Sequence, residues 1–321
     1  MIKLLRFLLA AALALLQGAA IARNWPAKPV HLLVPFPAGT GPDVVARLLG
    51  ERLGGTWREQ VVVENRPGAG GVAGMNALVH SAPDGYTMAL VPATVVTLTP
   101  VLLKDPPFDA GRDVVPVAMI ATSPFMIAVN PGAGVGTLAE LIGLAREQPG
   151  KINVAVVALF SATHLTTELL SAAAGIRLFP VPYNGSPNAV VAAVTGQSQA
   201  IVDSIGVVAP QWKAGKLRLL AVTSPQRLPN YPDIPAAAET LPGFQVIGWV
   251  AVFAPKNTPA AIVEKVNRDV NTAIQVPELA ARLVGIGFYP SPGSAAGFAE
   301  FLKSERERWG KIAREAGVQP Q

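Results

Sequence analysis

The sequence predicts an α/β protein of two lobes joined by two chain crossings. Three observations predict it. Short β-rich runs alternate with helical segments, about 300 residues follow an N-terminal leader, and two Pro-rich stretches interrupt the alternation.

The leader is read first. Lys3 and Arg6 precede an unbroken apolar run from Phe7 to Leu16, and Ala20-Ile21-Ala22 fits the A-x-A cleavage pattern. The run is shorter than the roughly 20 residues that span a bilayer. Residues 1–22 are therefore expected to be a secretory signal cleaved near Ala22, with the mature chain soluble and periplasmic. The chain has no cysteine, which excludes a lipid anchor, thiolate catalysis and cysteine metal sites. An exported chain of this length can build its core without disulfides. The formal net charge of +5 drops to about +3 once Lys3 and Arg6 leave with the signal. The remaining basic residues, such as Arg52, Arg58 and Arg66, are scattered, which suits an anionic small molecule and not nucleic acid.

The elements follow in order. Val30 to Val34 reads as a strand, Phe36 to Pro42 as a Gly/Pro loop, and the next segment as a helix with Asp43 as its N-cap. Gln60–Val63 and Tyr86–Val91 read as strands, and Gly70–Val79 as a helix of small residues between them. Apolar stretches lie at 114–120 and 126–129. A helix capped by Thr137 and a strand at Ile152–Val157 come next, then a helix beginning at Ser161. Strands at Leu178–Val181, Ala200–Val202, Leu217–Thr223 and Val246–Ala254 and helices at Asn188–Thr195, Pro259–Gln275 and Ala295–Ala316 complete the reading. Such alternation implies parallel sheets. The Pro-rich stretches near 106–124 and 224–246 are where the chain leaves one lobe and returns. The expected domains are therefore 23–122 plus 248–321, and 123–247, with a cleft that can close by hinge motion.

Catalytic signatures do not assemble. Gly68-Ala69-Gly70-Gly71-Val72-Ala73 matches G-x-G-x-x-A, but four residues separate it from the preceding strand and no acid follows about 20 residues on. A closely packed small-residue helix is the better reading. Ser161 and His164 lie on one helix face with no nucleophile elbow, so Ser161 reads as an N-cap. The other histidines, His31 and His80, form no metal motif, and no Walker-type loop occurs. No metal and no cofactor are expected. The loops before helix starts supply amides and hydroxyls, donors that hold an anion without reacting with it. Two side chains at such edges are further candidates. Thr94 follows the third strand, and Asp203 sits at a strand end where open α/β sheets bind ligands.

Several stretches carry a resemblance. Val34 to Arg47, with Pro35-Phe36-Pro37-Ala38-Gly39-Thr40 at its centre, is similar to the opening of the substrate-binding proteins of tripartite tricarboxylate transporters, the Bug family. Val62-Val63-Glu64-Asn65-Arg66-Pro67-Gly68-Ala69-Gly70-Gly71 and Ala82-Pro83-Asp84-Gly85-Tyr86-Thr87 resemble its next two motifs, and similar stretches continue through Trp249 to Pro259. The resemblance implies a two-domain periplasmic binding protein of type II-like fold. It also implies capture of a di- or tricarboxylate, an acidic amino acid or an aromatic acid, and delivery of that ligand to membrane permease subunits. A monomer that is not an enzyme is expected. Carried over residue by residue, the binding loops are Phe36, Ala38, Gly39 and Thr40 with Asp43 behind them, and Phe160, Ser161 and Ala162. Tyr183 would line the pocket or close an interdomain contact. Asp203 matches a family aspartate and would bind an amine or hydroxyl, orient a water or cap a turn. The second loop departs from the family, with Ala158 and Phe160 in place of glycines. Either Leu159 and Phe160 pack inward, or they face the cleft and favour a more apolar acid. A ligand-sensing receptor for a membrane kinase and an exported hydrolase are the alternatives to transport.

Overall fold

The computed structural model describes residues 25–159 and 161–315. The expected signal at 1–22 and the candidate Phe160 lie outside them. In chain order the first stretch holds β1 (Val30–Val34), α1 (Gly41–Trp57), β2 (Val61–Asn65), α2 (Val72–Val79), β3 (Thr87–Pro92), α3 (Ala93–Thr97), α4 (Thr99–Leu102) and β4 (Val114–Val129). Next come α5 (Leu138–Glu147), β5 (Asn153–Val156), α6 (Ala162–Ala174), β6 (Phe179–Pro182), α7 (Ser186–Val194), β7 (Ala200–Ser204), α8 (Ile205–Lys213) and β8 (Arg218–Val222). The last stretch holds α9 (Ala237–Thr240), β9 (Ile247–Pro255), α10 (Ala260–Ile274), α11 (Pro277–Gly285), β10 (Tyr289–Pro290) and α12 (Ala295–Glu315).

The chain divides into two units. The first comprises residues up to Ala121, Val250–Arg282 and the stretch from Pro290 onward; the second comprises Thr122–Trp249 and Leu283–Tyr289. In the first unit β1 pairs in parallel with β2 and β3, while β9 runs antiparallel to β3. In the second the order is β8-β4-β7-β5-β6, with β5 parallel to β6 and β7, and β4 antiparallel to β7 and β8. Both sheets are thus mixed, where alternation alone implied parallel ones. The cause is connectivity. The long strands β4 and β9 carry the chain between the units and enter a sheet against the direction of its other strands. β4 also joins into one strand of 16 residues the two apolar stretches that read separately.

Amphipathic patterning explains the core of each unit. Val45, Leu48, Leu49, Leu53 and Trp57 recur one turn apart on α1 and are buried. Each such aliphatic side chain contributes about 1.5–3 kcal/mol on burial. In the second unit Met126, Ile201, Val208, Leu219 and Val222 form a cluster with Ala189 and Ala193. Those alanines let α7 lie close to the sheet. The return segment Leu283–Tyr289 belongs to the second unit, where the partly buried Tyr289 packs against the apolar cluster and its hydroxyl donates to Asn230 Oδ1 at 2.5 Å. That burial pushes the Tyr289 phenol up to about 12.

Close packing accounts for the small residues of α2. A Cβ at Gly74 on α2 would lie 2.7 Å from Pro35 Cβ and 3.1 Å from the Arg66 carbonyl. The helix is therefore seated against the loop that follows β1, as a small-residue helix can be and a larger one cannot.

Candidate functional site

In the first unit the segment after β1 is tied to its neighbours by side chains. Thr40, and not Asp43, is the N-cap of α1, and Pro42 lies in the first turn. The expected cap assignment is thus corrected. Proline is pre-organised for the first helical turn and needs no amide partner there. Asp43 sits one turn in, 2% exposed, and reaches back. Its Oδ2 accepts from the Gly39 amide at 2.8 Å and from Arg47 Nε at 3.1 Å; its Oδ1 accepts from Asn65 Nδ2 at 2.9 Å. Gly39 adopts φ +82°, a conformation that favours glycine. Burial alone would push the Asp43 carboxyl up, but the bonds from Arg47, Gly39 and Asn65 and the guanidinium charge hold it below the ordinary carboxylate range.

Pro37, Ala38 and Gly39 are exposed, and Phe36 and Thr40 partly so. The Thr40 hydroxyl donates to the Pro37 carbonyl at 2.8 Å. Thr94, near the start of α3, is partly exposed and lies at the same sheet edge, because β1 and β3 are parallel. The amides of a first helical turn have no intrahelical partner, and the dipole's positive end faces the same way. Of the residues carried over to this unit, Phe36, Ala38, Gly39 and Thr40 form one surface, and Asp43 braces it from behind.

The second unit repeats the plan. Ser161 is the N-cap of α6, as the sequence implied. Its Oγ accepts from the His164 backbone amide at 3.3 Å, donates to the Ala158 carbonyl at 2.8 Å and lies 3.0 Å from Thr163 Oγ1. Thr163 Oγ1 in turn accepts from the Val157 amide at 3.1 Å. Ser161 meets the backbone amide of His164 in the way an N-cap does. Burial lowers the His164 imidazole, outweighing Glu168, whose carboxylate lies 3.9 Å away. Ala162 opens the helix and is partly exposed. Leu159 does not pack inward: it is 58% exposed on this loop.

Two further candidates separate. The Tyr183 hydroxyl lies 3.1 Å from the buried Ser198 Oγ, and its ring packs against the unit's apolar cluster. Tyr183 is thus directed into packing and not to the loop edge. Asp203 is only 3% exposed. Its Oδ1 accepts from Ser186 Oγ at 3.1 Å and from the Ser204 amide at 2.6 Å, while Oδ2 is buried with no partner. Burial, outweighing those bonds, pushes this carboxyl up. Ser186 opens α7 and Ser204 caps α8, and the Gly185 amide donates to the Val157 carbonyl at 3.1 Å. Three helix starts therefore gather at the C-terminal edge of β5, β6 and β7, where open α/β sheets bind ligands. The role of Ser186 was not read from the sequence; a Ser after Gly185 carries no signal of the strand it will face.

Among the described residues no His, Cys, Asp and Glu cluster could hold a metal, and no helix is long and apolar enough to cross a membrane. The arrangement offers hydrogen-bond donors to an anion.

Comparison with known proteins agrees with this chemistry. The family model described as the tripartite tricarboxylate transporter family receptor matches residues 44–318. The protein BugT of Bordetella pertussis is 35% identical over 299 residues, covering 92% of each chain. The structure of R. palustris Rpa4515 with adipate is similar with a TM-score of 0.82 and 32% identity, covering 92% of this chain and 100% of that one. MatC from Rhodopseudomonas palustris with bound malate gives 0.76 and 28%, covering 90% and 99%. The fold is that of the periplasmic solute-binding proteins, and the chain belongs to the tripartite tricarboxylate transporter receptor family, a class of solute-binding receptors that includes the Bug proteins.

Proposed function

We propose that this protein captures a small carboxylate outside the cytoplasm and delivers it to the membrane permease subunits of a tripartite transporter. On this reading it is a monomer with no catalytic activity, freed from its signal near Ala22. The observation that carries the reading is the doubled strand–loop–helix arrangement: the Phe36–Thr40 surface on one unit, and the start of α6 on the other. Each leads into a helix start, whose first amides have no intrahelical partner and suit a carboxylate. The adipate and malate of the two structural relatives support the same ligand class.

Within that class the second loop favours an acid with an apolar body. Leu159 is exposed where an apolar ligand surface would cover it. A thermal-shift screen over malate, citrate, adipate and benzoate tests this. The largest stabilisation is expected from adipate or benzoate; a larger shift with citrate or malate would sink the apolar preference while leaving the carboxylate reading intact. Mass action sets the scale, about 2.7 kcal/mol of stabilisation at a ligand concentration 100-fold above Kd.

A further inference from the structure

Asn65 closes β2, one strand away from the loop that follows β1, in a motif that the ligand reading leaves unused. Parallel pairing sets Asn65 against Val34, and the Arg66 amide donates to the Val34 carbonyl at 2.8 Å. This register delivers the Asn65 side chain to the base of the loop. Its Nδ2 donates to the Phe36 carbonyl at 3.0 Å and to Asp43 Oδ1 at 2.9 Å, and its Oδ1 accepts from Arg47 Nη2 at 3.1 Å. The orientation of the amide is forced, since a backbone carbonyl only accepts and a guanidinium only donates. Asp43, held by Asn65 on one oxygen, holds the Gly39 amide with the other. Both ends of the exposed Pro37-Ala38-Gly39 segment are thus tied to one pair of side chains. The Phe36 carbonyl sets the direction in which the chain enters the segment, and the Gly39 amide sets the direction in which it leaves.

We infer that Asn65 is a positioning residue for ligand capture, which fixes the Phe36–Gly39 loop in its binding shape before the ligand arrives. It acts through the loop. Arg47 completes the network by filling the acceptor side of the Asn65 amide and both oxygens of Asp43. Ordering a loop in advance removes that entropy cost from the binding step. The inference rests on the proposed reading of this loop as half of an anion site.

Hydrogen exchange of the ligand-free protein, together with calorimetric titration of adipate, malate and benzoate, tests it. In Asn65→Ala, and in the milder Asn65→Ser if the first does not fold, exchange should rise in 36–40 while the β1 and β3 amides keep their protection. Affinity for each acid that the parent binds should fall roughly tenfold. Asn65→Asp keeps the shape and the acceptor for Arg47 but loses both donated bonds; it should open the loop as the alanine variant does. Unchanged exchange at 36–40 in the folded Asn65 variants would overturn the inference, whatever the titrations give. Ala38→Glu separates the two readings, since it adds a negative charge to the exposed loop and leaves Asn65 alone. Undiminished binding by Ala38→Glu would overturn the anion-site reading, whereas its loss alongside unchanged Asn65 variants would overturn only the positioning role.

Discussion

Two buried aspartates show how one residue type takes opposite roles. Asp43 has a donor on each oxygen, so its carboxylate is stabilised and its folded pKa lies below the unfolded value. Its contribution to stability is present above the ordinary carboxylate range and is lost as pH falls through the lowered pKa. Asp43→Asn should therefore melt below the parent at pH 7, and the gap should close as pH falls below about 4 in a thermal-melting series. Asp203 behaves in the reverse sense. Its raised pKa means that its stabilising contribution is full below the unfolded pKa and is lost as pH rises through the folded one. With Oδ2 unpartnered, its charged form costs about 1–3 kcal/mol. Asp203→Asn should raise the melting temperature of the ligand-free protein at pH 7 by about 2 °C or more, with the gain shrinking toward pH 4. If Asp203 meets the ligand, the same variant weakens binding; a variant both less stable and binding normally would refute this account of the residue. Asp203 was legible as a residue at a strand end. Its orphaned oxygen was not, because what surrounds a carboxylate is decided by Ser186 and Ser204 on other elements.

The elements were read well where periodicity is strong and poorly where composition is bland. The spacing of Val44, Leu48, Leu49 and Leu53 predicts α1 with Gly54-Gly55 as its stop, but it is Val45 and not Val44 that is buried with the three leucines. The helix runs on to Trp57, because burying the Trp57 ring outweighs the weak helix propensity of glycine. Helix α8 escaped the reading because Pro210 lies inside it, a residue that normally breaks a helix interior. The antiparallel entry of β4 and β9 escaped as well, since strand direction is a property of connection and leaves no local mark. Close packing at this scale is testable. Gly74→Val places side-chain atoms into Pro35 and the Arg66 carbonyl, and overpacking of this kind costs about 1–3 kcal/mol. Denaturant melts should show that loss. Binding should fall further than stability does, because the strained contact is with the base of the ligand loop. On the second unit, Leu159→Asp should leave the melting curve close to the parent, since the side chain is exposed. It should weaken binding of adipate or benzoate several-fold.

At the scale of the whole chain, the two units share one plan: strands whose C-terminal ends feed loops into helix starts. The absent catalytic sets pointed to a binder, and the family match over residues 44–318 places the chain among the solute-binding receptors. The ligand is the part least legible in the sequence. On the proposed reading the folded chain retains a small carboxylate. Native mass spectrometry of the mature protein, after incubation with an equimolar mixture of adipate, malate, citrate and benzoate, tests it most directly. A one-to-one complex with one acid of the mixture is expected, released unchanged on unfolding and abolished by Ala38→Glu. Retention of no acid, or release of a chemically altered one, would contradict it.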